Sequence, residues 1–173
     1  MMTRNLWSAW NVAKSSTPKN FTIWRSRKPS RRKKPSRSTE ILDAKTHNTI
    51  HHFEIPKEGI ILVPSKLYLG VTEEYTETHA HVPFLEGKSS IGRLGIDIHA
   101  TAGKGDVGFC NTWTLEISVR QPVRIYAGMP IGQLIYFVID GDVEVLYNRK
   151  ENAKYNRHTN KPVESMMWKN FKK

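Results

Sequence analysis

Two short stretches of this chain carry side chains that could act together on a phosphorylated substrate. In Gly87-Lys88-Ser89-Ser90-Ile91-Gly92-Arg93, a lysine, two hydroxyls and an arginine fall within six positions. A turn of small residues that presents a cation and hydroxyls suits phosphate binding, and the free N–H groups of a following helix would add to it. The bland reading is an ordinary helix start with Ser89 or Ser90 as N-cap. Downstream, Glu116 is the one acid in Trp113-Thr114-Leu115-Glu116-Ile117-Ser118-Val119. Period-2 alternation puts Trp113, Leu115, Ile117 and Val119 on one face and Thr114, Glu116 and Ser118 on the other. A carboxylate fixed beside hydroxyls can orient a water and take its proton. A free Glu titrates near about 4.3, so burial would have to raise that value for efficient shuttling. From pattern alone, a lone Glu on a strand is more often simply solvated.

The elements that must position these groups read as strands. Gly59–Val63, Lys66–Thr72, Gly95–Thr101, Trp113–Val119, Pro122–Tyr126 and Ile131–Phe137 are short β-like runs divided by turn residues. No long 3.6-residue period occurs, and the one helix expected is short, around Ser89–Leu94. This predicts an all-β body, a distorted β-barrel or jelly-roll-like fold. Tyr147–Lys173 is polar and aromatic and reads as an extended arm, of the kind that crosses to a neighbouring subunit.

Charge separates two regions. Of 27 Lys and Arg residues, 11 lie in residues 1–39, which hold no Asp or Glu; the remainder has 16 basic against 16 acidic residues. The excess of +11 therefore belongs to the N-terminal segment, and the neutral body argues against a nucleic-acid-binding module except through that tail. A single cysteine, Cys110, excludes a disulfide framework and a paired-cysteine zinc site. The H-x-E and P-C-x-x-C elements of zinc nucleobase deaminases are lacking. His79 and His81 are a conceivable metal pair, but with no third ligand in sequence they read as surface histidines. No stretch is apolar enough to span a membrane and no signal-peptide core is visible, so a cytoplasmic protein is expected.

The Lys88-Ser89-Ser90…Arg93 turn followed by Thr114-Leu115-Glu116 closely resembles the dCTP deaminases, members of the trimeric dUTPase-like superfamily, over about residues 41–171. The resemblance implies a dUTPase-like (β-clip) barrel and a homotrimer with active sites between subunits. Glu116, Ser89 and Arg93 would be catalytic, with Glu116 the general base, Ser89 orienting the base and its water, and Arg93 stabilising charge. Lys88 and Ser90 would hold the triphosphate. Thr101 and Ala102 would offer backbone groups to the pyrimidine, and Asp106 would contact the deoxyribose. Thr114, Leu115, Gln133, Tyr147, Lys154 and His158 would complete the substrate contacts, with His158 standing where the family commonly has Gln. Mg²⁺ would arrive on the triphosphate, and no protein-bound zinc is expected.

The leading reading is metal-independent hydrolysis of dCTP to dUTP and ammonia. The alternatives are a bifunctional enzyme giving dUMP and pyrophosphate, an inactive protein of the same fold, and the nucleic-acid module. Gly103-Lys104-Gly105-Asp106-Val107-Gly108 fits G-x-G-x-x-G, but a strand follows where a dinucleotide site needs a helix; the glycines read as a tight loop approaching a sugar or base. Residues 1–39 lack the family's N-terminal strand, and the resemblance begins near Ile41. They are expected to be non-native, as a shifted reading frame yields, or a disordered basic arm, with residues 40–173 forming the domain. A missing strand would leave a barrel edge exposed.

Overall fold

The computed structural model describes residues 18–24 (backbone only), 41–48 and 50–172. Its strands are β1 (Pro18–Trp24), β2 (Ile50–Glu54), β3 (Ile60–Leu62), β4 (Tyr68–Thr72), β5 (Thr76–Glu77) and β6 (His81–Gly87). After one helical turn, α1 (Ser89–Gly92), come β7 (Ile96–Asp97), β8 (Cys110–Asn111), β9 (Thr114–Val119), β10 (Val123–Ile125) and β11 (Gly132–Val138). Two 3-10 turns follow, Tyr147–Arg149 and Met167–Phe171. The all-β expectation with one short helix holds.

The main sheet has the order β2-β1-β4-β9-β7, and the pairs β10-β3, β11-β6 and β5-β8 pack around it. β4 is buried along its whole length, because Tyr68, Leu69 and Val71 supply apolar surface to both faces of a central strand. β9 beside it alternates: Leu115, Ile117 and Val119 are buried, while Thr114, Glu116 and Ser118 are half-buried. The core gathers Leu62, Tyr68, Leu85, Ile91, Ile96, Ile98, Leu115, Ile117, Ile125, Ile131 and Leu134. Tyr68 is admitted to it because its hydroxyl accepts the Val63 N–H at 2.9 Å.

One expectation needs correction. Residues 1–39 are not wholly without a place in the fold, because β1 lies among them and pairs antiparallel with both β2 and β4. A strand inserted between two others pairs the N–H and C=O groups on both of its edges. It therefore needs no pronounced hydrophobic period of its own, and the barrel keeps the strand it was expected to lose. The rest of that segment lies outside the described residues. Within one chain the arm packs on its own body. Asn111 Nδ2 donates to the carbonyls of Tyr155 at 2.9 Å and Arg157 at 3.3 Å, and Thr112 Oγ1 donates to that of Thr159 at 2.8 Å. Thr114 Oγ1 accepts the Val163 N–H at 3.1 Å. Polar side chains around β8 and the start of β9 thus supply the hold. Among the described residues, no helix is long and apolar enough to cross a membrane.

Candidate active site

A cavity of about 490 Å³ opens where β4, β9, the 102–109 loop and the arm meet, a size that suits a small polar ligand. Its wall includes Leu69 of β4, Trp113, Thr114 and Glu116 at and within β9, Phe109 on the loop, and Tyr147 and Tyr155 of the arm. The floor is rigid for identifiable reasons. The Trp113 N–H donates to Thr72 Oγ1 and its indole N–H to Thr76 Oγ1, both at 2.9 Å. Phe109 stacks obliquely on Trp113 with ring centroids 4.7 Å apart, and Tyr147 sits 5.8 Å from Phe109.

Strand pairing places Glu116. β4 and β7 flank β9, with Leu69 opposite Glu116 and Asp97 opposite Ser118. The Glu116 N–H donates to the Ile98 carbonyl at 2.9 Å. One carboxylate oxygen, Oε2, accepts the Ala100 N–H at 3.0 Å. A carboxylate tethered through one oxygen is fixed in direction while the other can address a water.

The glycine run does its work inside the protein. The Leu85 N–H donates to the Gly103 carbonyl at 2.7 Å, and the Gly105 N–H donates to the Pro83 carbonyl at 2.8 Å, so this loop runs along β6 as an extra edge. A Cβ on Gly103 would come within 2.6 Å of the Leu85 carbonyl oxygen. Gly108 has φ +88° and meets Leu146 and the Tyr147 backbone. The close approach these glycines permit is therefore to β6 and the arm; its consequence for the site is that Ala102, Lys104 and Asp106 are held at the cavity.

Of the residues expected from sequence, Ala102, Asp106, Thr114, Glu116 and Tyr147 line the cavity. Thr101 is exposed beside it and does not line it. The Leu115 side chain is fully buried in the core, so any part it has in binding is through its backbone. Gln133 pairs opposite Glu86 across β11 and β6, away from the cavity wall. Lys154 is half-buried and does not line the cavity. His158 is turned to Asn111, its Nδ1 3.2 Å from Oδ1, and packs edge-on to Tyr75.

Lys88, Ser89, Ser90 and Arg93 form a separate group, none of them on the cavity wall. The N-cap of α1 is Lys88 rather than either serine, and it makes no side-chain cap. The Lys88 N–H donates to Ile131 at 3.1 Å while its carbonyl accepts from Ile91 and Gly92. Both serine hydroxyls are thereby spared capping duty. Ser89 and Ser90 are exposed, as is Arg93, whose Nη1 reaches 3.5 Å from Ser89 Oγ one turn away.

Sequence reasoning misses Lys104, on the cavity wall, and Lys150, whose Nζ is 3.1 Å from Asp106 Oδ2. It also misses Asn111, which is buried and anchors the arm. Nothing local marks the last two, since their partners lie more than forty residues away. Lys104 carries a usable signal, a lone cation between glycines. Desolvation raises the Tyr147 phenol above its ordinary 10.0, outweighing the lowering by the Tyr155 N–H that its oxygen accepts at 3.2 Å.

Comparison with known proteins bears on what such a cavity does. A family profile described as dCTP deaminase-like matches residues 22–139, beginning inside β1. A protein of Clostridium acetobutylicum named "dCTP deaminase, dUMP-forming" is 51% identical over 133 residues, which cover 76% of this chain and 73% of that protein. A Cytophaga hutchinsonii protein of the same name is 50% identical over 132 residues, with the same coverage of both chains. The solved dCTP deaminase of Agrobacterium tumefaciens superposes with a TM-score of 0.55 at 19% identity. That match covers 79% of this chain and 42% of the solved one, and it supports the dUTPase-like fold.

Proposed function

This chain belongs to the dCTP deaminase-like family, and on that premise we propose that it converts dCTP, with two waters, to dUMP, pyrophosphate and ammonia. The observation that carries the reading is half-identity, across most of both chains, to proteins named for forming dUMP. It favours the bifunctional alternative over release of dUTP. In this reading Glu116 takes a proton from the water that attacks C4 of the cytosine and passes protons to the ring nitrogen and the departing ammonia. Such base catalysis typically contributes about 10²–10⁴-fold. Its tether to Ala100 keeps the carboxylate aimed. Water activation falls to this carboxylate rather than to a zinc ion, because the sequence lacks the zinc-deaminase ligand pattern.

The pyrimidine would lie against Phe109 and Trp113, with the sugar near Asp106 and Tyr147. Lys104 would offset triphosphate charge from within the same chain. Mg²⁺ would come with the triphosphate and keep several of its waters. Lys88, Ser89, Ser90 and Arg93 would reach a nucleotide from a second copy, in keeping with a homotrimer that has its sites between subunits. The exposure of Ser89, Ser90 and Arg93 beside a half-buried Lys88, all apart from the cavity, supports that arrangement. Lys154 and His158 would join only after the arm shifts from its present contacts. The direct test is product analysis after incubation with dCTP and Mg²⁺. Equimolar ammonia and dUMP, with pyrophosphate and without accumulated dUTP, is the expected result. Accumulation of dUTP would return the chain to the monofunctional reading, and no ammonia would end both.

A further inference from the structure

We propose that Glu77, His79 and Cys110 form a zinc-binding site outside the catalytic cavity. One ligand atom from each, a carboxylate oxygen, an imidazole nitrogen and the thiol sulfur, lies within 4.8 Å of the other two. The grouping follows from the fold. β5 pairs with β8 in the register Glu77 opposite Cys110, so the two side chains are cross-strand neighbours on one face. The next turn folds His79 back onto them. Thr78, which is buried, takes part in that turn by donating to the His81 carbonyl and accepting the His81 N–H, and its own carbonyl accepts the Gly108 N–H at 2.9 Å. His79 Nε2 consequently stands 3.3 Å from Glu77 Oε2.

That separation is already the one a shared ion requires. With Zn–N and Zn–O near 2.0–2.2 Å and Zn–S near 2.3 Å, tetrahedral ligands stand about 3.3–3.6 Å apart. The carboxylate and imidazole are more than half exposed, so rotation of their side chains can draw the set together without moving the strands. One thiolate, one imidazole and one carboxylate are a donor set for a borderline ion such as Zn²⁺, not for Mg²⁺ or Ca²⁺. A water would take the fourth position.

Sequence spacing pairs His79 with His81, and the strand pairing replaces that partner: His81 is outside the group while Glu77 and Cys110 are in it. The proposed site departs from the expectation of no protein-bound zinc, and the proposed chemistry is untouched, since none of the three residues lines the cavity. The ion would staple the two-residue β5–β8 pair. Cys110 adjoins Asn111, the anchor of the arm, so the staple would stiffen the cavity's outer wall.

The test uses the full chain, freed of metal by chelation, and titrates it with Co²⁺ and then Zn²⁺. One Co²⁺ per chain should bind with a thiolate-to-cobalt charge-transfer band, and Zn²⁺ should displace it. Cys110→Ser should abolish the band and weaken Zn²⁺ binding by at least ~10²-fold, as should His79→Ala, because even outer-shell losses cost 10–100-fold. His81→Ala should bind as the parent does. Zinc at about a hundred times its Kd should raise Tm by roughly 5–10 °C in the parent and not in Cys110→Ser. Circular dichroism of the variants separates loss of ligand from loss of fold. Absence of a thiolate band in the parent, or equal Zn²⁺ affinity in parent and folded Cys110→Ser, would overturn the site.

Discussion

In the proposed enzyme the face of β9 and the turn around α1 hold the two halves of one chemistry, and the fold treats them differently. Glu116 is fixed by flanking strands, by its own N–H on Ile98 and by Ala100 on its carboxylate, and it faces a cavity that its own chain encloses. Ser89, Ser90 and Arg93 are equally well placed on a short turn, yet they are exposed and reach no part of that cavity. A carboxylate meant to hold a water gains from enclosure. Cations and hydroxyls that must meet a charged substrate gain from being presented outward, where a neighbouring copy can use them. The difference teaches that strand pairing within one chain can build the base-bearing half, whereas in the proposed enzyme assembly completes the other.

The largest effect should come from Glu116→Gln, which keeps shape and hydrogen bonding to Ala100 while removing the base. We expect kcat to fall by at least ~10²–10⁴-fold with dCTP binding retained, measured by ammonia release alongside calorimetric binding. Near-parental turnover would remove Glu116 from the chemistry. Arg93→Ala should cost about 10²–10³-fold in kcat, the size typical of losing one group aimed at developing charge. A rise in KM with kcat intact would demote Arg93 to simple binding.

A smaller effect sharpens the contrast from the enclosed side. Asn111→Ala removes two hydrogen bonds from Nδ2 to arm carbonyls and the Oδ1 contact to His158, each worth about 0.5–1.5 kcal/mol net. Urea unfolding should show that loss, and protease should clip the 155–165 stretch sooner. Unchanged stability and unchanged clipping would mean the arm is held elsewhere. The smallest effect concerns Tyr147. Its raised pKa means the folded chain keeps the phenolic proton longer than the unfolded one. The stabilising contribution is therefore complete below the unfolded value near 10 and is lost as pH rises through the folded one. Tyr147→Phe should flatten that part of the alkaline decline in a series of urea midpoints, and an undiminished decline would assign it to other groups.

What could be read from sequence, and what could not, follows from the range of each interaction. The alternation of Leu115, Glu116 and Ile117 is a property of adjacent residues, and it placed Glu116 on the correct face. The glycine loop was recognisable as a close approach, but its partner, β6, lies some twenty residues away in sequence. β1 was obscured because its support comes from β2 and β4 and not from a period of its own. Lys150 beside Asp106, Asn111 beneath the arm and Cys110 opposite Glu77 are tertiary pairings with no local signature. Leu115 is the converse case, a motif position whose side chain belongs to the core and which can reach a ligand only through its backbone.

The central claim, that the cavity of one chain and the exposed turn of another make a single deaminating site, is tested most directly by mixing two inactive variants. Glu116→Gln keeps an intact turn and Arg93→Ala keeps an intact base. Subunits exchanged between them at equal concentrations would place both intact halves at roughly one site in four. Ammonia release from dCTP should therefore recover to about a quarter of the parental rate, while either variant alone stays near background. A mixture no more active than its components, after exchange has been verified, would contradict the account and place the whole site within one chain.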